Sequence, residues 1–180
     1  MHSERYALPT IVLHWLGALL IVAAFALALA LSGMHLSPLK FKLIAWHKWL
    51  GITVLGVTAL RLLARLLWRA PPMPADMSPA MQRLAHLGHL ALYLFMLAIP
   101  LSGWAMTSAY GIPIVYLGKF TLPDLLAANE VLGAQLKTLH LWLNWTLAAI
   151  VAGHVLAAFK HHFVDGNGLL WRMSPHAPKP

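Results

Sequence analysis

Residues 136–161 read LKTLHLWLNWTLAAIVAGHVLAAFKH. No Asp, Glu, Lys or Arg stands between Lys137 and Lys160. That run exceeds the roughly 20 apolar residues an α-helix needs to cross a bilayer. His140 and His154 both fall inside it, 14 residues apart. Fourteen residues are close to four helical turns, so the two imidazoles share one face, about 21 Å apart along the axis. Ionisable side chains within a membrane span are costly and are functional candidates by default.

The rest of the chain fits the same setting. Of its 180 residues, 60% are apolar and 10% are charged, whereas a soluble domain carries about 25% charged residues. A soluble monomer is excluded on that ground, and disorder by the high apolar content. The chain has no Cys, which removes disulfides, thiolate metal sites and covalent haem attachment. Three further apolar runs precede the one quoted. The spans are expected at about 7–31, 43–68, 81–107 and 136–161. The first is too long for a signal-peptide core of about 7–15 residues and reads as a retained helix. Pro100 should kink the third, as neighbouring helices allow in a membrane. The connections are a short one at 32–42, a Pro-rich extended link at 70–79, and a longer one at 108–134 expected on the membrane surface. The whole chain, 1–180, reads as a single all-α transmembrane domain, an integral membrane four-helix bundle.

Basic residues favour the cytoplasmic side. Arg61, Arg65, Arg69 and Arg83 flank the link between spans two and three. Lys160, Arg172 and Lys179 lie in or near the tail, and Arg5 near the N-terminus. Both termini are therefore expected in the cytoplasm. The net charge of +8 is explained by basic residues at membrane faces and does not call for nucleic acid.

With that orientation His14, His86, His89 and His154 lie near the cytoplasmic surface, and His47 and His140 near the outer one. His47 matches His140 in depth. His14 matches His154, although His86 and His89 do so as well. Two imidazole pairs, one near each surface, suit two haems stacked across a bundle, since imidazole is a good iron ligand and haem is held by axial side chains in an apolar pocket. Zinc is the competing metal, but few carboxylates and no thiols stand ready to complete a closed site. A lone membrane histidine is more often an interior hydrogen-bonding residue; the pairing in depth is what favours ligation. Gly17, Gly51, Gly88 and Gly153 leave room for a flat macrocycle, or serve ordinary close helix packing.

These residues also carry a resemblance. Arg5-Tyr6, then Leu13-His14-Trp15-Leu16, Trp46-His47-Lys48 with Gly51-Ile52, Ala85-His86-Leu87-Gly88-His89-Leu90 with Tyr93, Leu139-His140, Gly153-His154, His161-His162-Phe163 and the 170–173 tail together resemble the bacterial cytochrome b561 family, within the wider group of nickel-hydrogenase cytochrome b subunits. The resemblance implies two haem b groups, one on His14 and His154 and the other on His47 and His140, with these four as the metal ligands. It implies exchange of electrons with ubiquinone, as acceptor or donor. One family member is a superoxide oxidase, so an oxidoreductase that passes electrons from superoxide to quinone is the most concrete activity implied.

Three other side chains are candidates. Arg61 and Arg65, i and i+4 on one face, suit haem propionates through charge-assisted hydrogen bonds, or else snorkel at a helix end. His161 suits a quinone carbonyl, as a hydrogen-bond and proton donor near neutral pH, or else is a solvated interfacial imidazole. No residue is singled out as catalytic. Two rival functions stand: a non-catalytic anchor wiring a separate dehydrogenase, hydrogenase or other periplasmic redox partner to quinone, and a His-lined transporter. The transporter is disfavoured because no Asp or Glu lies at the midplane, where transport sites usually sit.

Overall fold

The computed structural model describes residues 5–74 and 77–175; Lys179, counted above in the tail, lies outside them. Four helices are long and apolar enough to cross a membrane: α1 (Leu8–Ser32), α2 (Pro38–Leu67), α3 (Pro79–Ala109) and α4 (Glu130–Phe159). The starts of α2, α3 and α4 are written in cap chemistry. Ser37 accepts from the Lys40 amide at 3.2 Å, and Ser78 accepts from the Met81 amide at 3.4 Å. Each is followed by a proline at the first helical position, where a missing N–H costs nothing and φ is already helical. Asn129 caps α4 through Leu132 N at 3.0 Å, and Glu130 in the first turn complements the helix dipole.

Two helices therefore begin earlier than the apolar runs do. α2 opens at Pro38 rather than near 43, and α4 at Glu130 rather than near 136. Lys40, Lys42 and Lys137 hide these first turns from a hydropathy reading. At 30 residues, each helix is about 45 Å long, more than the roughly 30 Å hydrocarbon core. The charged turns extend beyond that core into the headgroup region.

α1 packs on α2, α2 on α3 and α3 on α4. α1 and α4 hardly meet through their backbones; they approach through side chains, such as the edge-on Phe25–Trp145 pair at 5.5 Å. Large apolar residues face outward, as a lipid solvent requires: Leu19 is 67% exposed and Leu66 84%.

The two ends of the bundle differ. At one end, β1 (Val115–Tyr116) and β2 (Phe120–Thr121) form a small antiparallel hairpin. Leu117 and Gly118 both take positive φ, 54° and 69°, which is the backbone a tight hairpin turn needs. The hairpin is fastened to α2 by Trp49 Nε1 donating to Val115 O at 2.7 Å and by the Thr53–Tyr116 hydroxyl pair at 2.9 Å. At the other end, the segments around Tyr6 and Arg172 meet near the link between α2 and α3. Tyr6 N donates to Arg172 O at 3.2 Å, Trp15 Nε1 to Met173 O at 2.9 Å, and Arg172 Nη1 to Pro72 O at 2.5 Å. Arg5 donates to Ser174 O. After α4 the chain continues through a π turn, Lys160–Val164, and a short 3-10 helix, Leu169–Met173.

Candidate redox site

The bundle gathers histidines into two groups. At the terminal end, His14 on α1 faces His154 on α4 with ring centres 6.4 Å apart. At the hairpin end, His47 on α2 faces His140 on α4, also at 6.4 Å. An imidazole nitrogen lies about 2 Å from a bound metal and about 1 Å from its own ring centre, so trans imidazoles on one metal have centres roughly 6 Å apart. Both pairs have this spacing. Among the described residues, no group of three or more His, Cys, Asp or Glu comes together to hold a bare ion. Two-ligand pairs suit a metal whose remaining ligands come from a macrocycle.

The other ring nitrogens support the same assignment at the hairpin end. His47 Nδ1 lies 3.1 Å from Ala24 O. His140 Nδ1 lies 3.1 Å from Ile99 O and 2.9 Å from Ser102 Oγ. A carbonyl only accepts, so each Nδ1 carries hydrogen and each Nε2 keeps its lone pair, the tautomer of a metal-ligating histidine with an oriented partner. Gly51 stands one turn after His47 on the same face, and a Cβ there would meet nothing within 4 Å.

The terminal end is built differently. Arg61 Nη2 lies 3.2 Å from His14 Nδ1, Arg61 Nη1 lies 3.7 Å from Met96 Sδ, and the guanidinium rests over the Tyr93 ring at 5.4 Å. Gly17 makes room for it: a Cβ there would sit 3.3 Å from Arg61 Nη1. Arg61 thus points into the bundle instead of snorkelling out of it. Among the described residues no carboxylate pairs with it. An interior cation without an anion is unfavourable, and a haem propionate is an anion of suitable size and charge.

His89 also approaches His154, at 5.5 Å, so the pairing at this end is less exclusive than at the other. Arg65, His86, His89, Gln82 and Tyr6 help wall a cavity of about 510 Å³ beneath the proline link. His161 stands apart from both groups. Its Nδ1 lies 2.6 Å from Asp165 Oδ2, which also accepts from Lys160 Nζ at 2.8 Å. Lys160 first, then His161, holds the Asp165 carboxyl below the usual carboxylate range.

Sequence reasoning passed over Ser102, Gly103 and Asp165. Ser102 and Gly103 follow Pro100 in a span read as an apolar run, and their partner lies on another helix. Asp165 was legible only as the acidic residue one turn beyond His161, and the π turn that aligns them has no simple sequence signal.

Four membrane-crossing helices with interior imidazole pairs define an electron-transferring membrane cytochrome of the b type. The chain belongs to the prokaryotic cytochrome b561 family, whose pattern matches residues 5–176. It is 36% identical to cytochrome b561 homolog 2 of Escherichia coli (strain K12), over 94% of this chain and 91% of that protein. It is 32% identical to the probable superoxide oxidase CybB of Yersinia pestis, over 97% and 98%, and 28% identical to cytochrome b561 homolog 1 of Escherichia coli (strain K12), over 96% and 98%. Haem b is the cofactor the family implies.

Proposed function

We propose that the chain binds two haem b groups, on His47/His140 and on His14/His154, and carries electrons between a donor at the hairpin end and a quinone at the terminal end. The observation that carries this reading is the equal 6.4 Å spacing of two imidazole pairs at two depths of one bundle. Each haem would supply reversible one-electron chemistry. The protein's own part is to present Nε2 of each ligand, to keep water out with apolar helices, and to fix the distance between the sites along α4. Arg61 and Arg65 are assigned to haem propionates at the terminal end.

The terminal end carries Arg61, Arg65, Arg69, Arg83, Lys160 and Arg172, and the positive-inside rule places it in the cytoplasm. The membrane is then the bacterial inner membrane and the hairpin faces the periplasm. Superoxide is the donor that fits best. The hairpin end has five lysines, Lys40, Lys42, Lys48, Lys119 and Lys137, against two carboxylates, Asp124 and Glu130, and the Yersinia relative's name is that of a probable superoxide oxidase. In the overall reaction two superoxide anions each lose one electron and leave as dioxygen, while ubiquinone takes up two electrons and two protons to become the quinol. His161, with Nδ1 on Asp165, is positioned to hold one of those protons at Nε2.

The decisive experiment is a reduced-minus-oxidised spectrum of the purified protein with haem counted per chain, followed by addition of superoxide in the presence of quinone. Two b haems and quinol formation are expected. One haem per chain would overturn the site assignment, and two haems that superoxide fails to reduce would overturn the donor.

A further inference from the structure

α3 places no candidate ligand in the hairpin-end pair, yet it is shaped around His140. Pro100 lies inside the continuous helix, and Ser102 follows it, only 8% exposed. The Ser102 hydroxyl donates to Ile99 O at 2.7 Å. A hydroxyl has one hydrogen and two lone pairs, so the contact with His140 Nδ1 at 2.9 Å is one in which Ser102 accepts. His140 Nδ1 lies within reach of Ile99 O as well, at 3.1 Å. Its single hydrogen is shared between two acceptors. Gly103 permits this approach: a Cβ there would stand 3.0 Å from His140 Cε1. The partner imidazole has a simpler setting: among the described residues His47 Nδ1 meets Ala24 O at 3.1 Å and no second acceptor.

We infer that Ser102 is a positioning residue that sets the ligand strength of His140 and so tunes the redox potential of the haem held there. The inference rests on the ligand assignment above. Accepting the Nδ1 hydrogen draws positive charge away from the ring and leaves Nε2 a stronger electron donor. A stronger axial donor favours the oxidised metal and lowers the potential. The second acceptor also fixes the ring's rotation, because only one plane serves both Ile99 O and Ser102 Oγ. The competing explanation is that Ser102 merely back-bonds to Ile99 in the helical turn that holds Pro100; in that case the haem would not sense its loss.

The test is a redox titration with low-temperature electron paramagnetic resonance on the full-length haem-loaded protein. Ser102→Ala is expected to keep both haems, to raise the potential of one, to move that haem's g values, and to leave the other haem as it was. Ser102→Thr, which retains the hydroxyl, is expected to restore the wild-type potential. Should Ser102→Ala not fold, Ser102→Cys, a weaker acceptor of similar size, should give a smaller rise in the same direction. Unchanged potentials and g values overturn the inference, as does an equal shift of both haems or a failure of Thr to restore. His140→Ala separates the two levels of the argument: if that variant still binds two haems, the ligand assignment itself falls, whatever Ser102 does.

Discussion

The Arg61 guanidinium donates to Nδ1 of His14 across 3.2 Å. A guanidinium has no acceptor, so Nδ1 must supply the lone pair and the hydrogen of neutral His14 sits on Nε2. His47 has the opposite tautomer, since its Nδ1 donates to Ala24 O. If haem binds through Nε2 as proposed, His47 needs no tautomer change and His14 requires one, with Arg61 released toward an anionic partner. In nitrogen-15 spectra of the haem-free protein, His14 should show the Nε2–H pattern and His47 and His140 the Nδ1–H pattern, and haem loading should convert His14 to match. Three alike imidazoles before loading would refute this.

Ligand loss should be local. His47→Ala or His140→Ala should each remove one haem, halving the haem content and leaving the other haem's spectrum in place. His14→Ala or His154→Ala should remove the second. His89, 5.5 Å from His154, is the residue most able to contradict this. If His89→Ala loses the terminal-end haem while His14→Ala keeps it, His89 is the ligand.

The Gly103 notch gives a steric prediction. Gly103→Ala places a Cβ 3.0 Å from His140 Cε1, closer than ordinary contact, so the ring must give by a few tenths of an ångström. The swap also favours the helix by about 1 kcal/mol, so the fold should survive while one haem's spectrum broadens or shifts. Haem spectra identical to wild type would show that the ring has slack.

The four-helix bundle was legible in the sequence because uncharged runs of span length say little else. Helix starts were less so. Asn129 and Ser37 are cap residues that a hydropathy reading does not weigh, and the lysines after them look like the end of a span. The histidine pairing could be reached from depth alone at the hairpin end, where His47 and His140 are the histidines that lie within spans and His35 falls in a connection. At the terminal end His14, His86 and His89 share a depth, and depth cannot rank them; the geometry brings both His14 and His89 to His154. The surroundings of each imidazole were not legible, because Ser102, Ala24 and Arg61 reach their partners across helices, and helix rotation is set by packing that no single run encodes.

The cap at Asn129 has a measurable weight. Asn129→Ala removes the acceptor for Leu132 N and should cost about 1 kcal/mol, as N-cap truncations typically do. Thermal unfolding in detergent should show a lower midpoint with haem content unchanged. No change in midpoint would mean that the first turn, from Glu130, contributes nothing to stability.

The donor prediction turns on the five lysines of the hairpin end. Two of them are engaged within the protein: Lys40 Nζ donates to Met34 O at 2.6 Å, and Lys42 lies over the Trp46 ring at 5.2 Å. Lys48 is half-buried one residue after His47, and Lys137 is exposed one turn before His140 on α4. These two flank the hairpin-end imidazole pair in sequence, and they have no topological duty if that end faces outward as proposed. A positive funnel over a low-dielectric surface raises the encounter rate of a small anion, and added salt weakens it over a Debye length of about 8 Å at physiological ionic strength. Stopped-flow mixing with superoxide should reduce the haems at a rate that falls as ionic strength rises. Lys48→Gln with Lys137→Gln should lower that rate several-fold and flatten its salt dependence, with both haems retained. If the lysines serve only to contact anionic lipid headgroups, the double variant will react as fast as wild type. A rate indifferent to salt and to both substitutions would remove superoxide as the donor and leave a periplasmic redox protein as the better one.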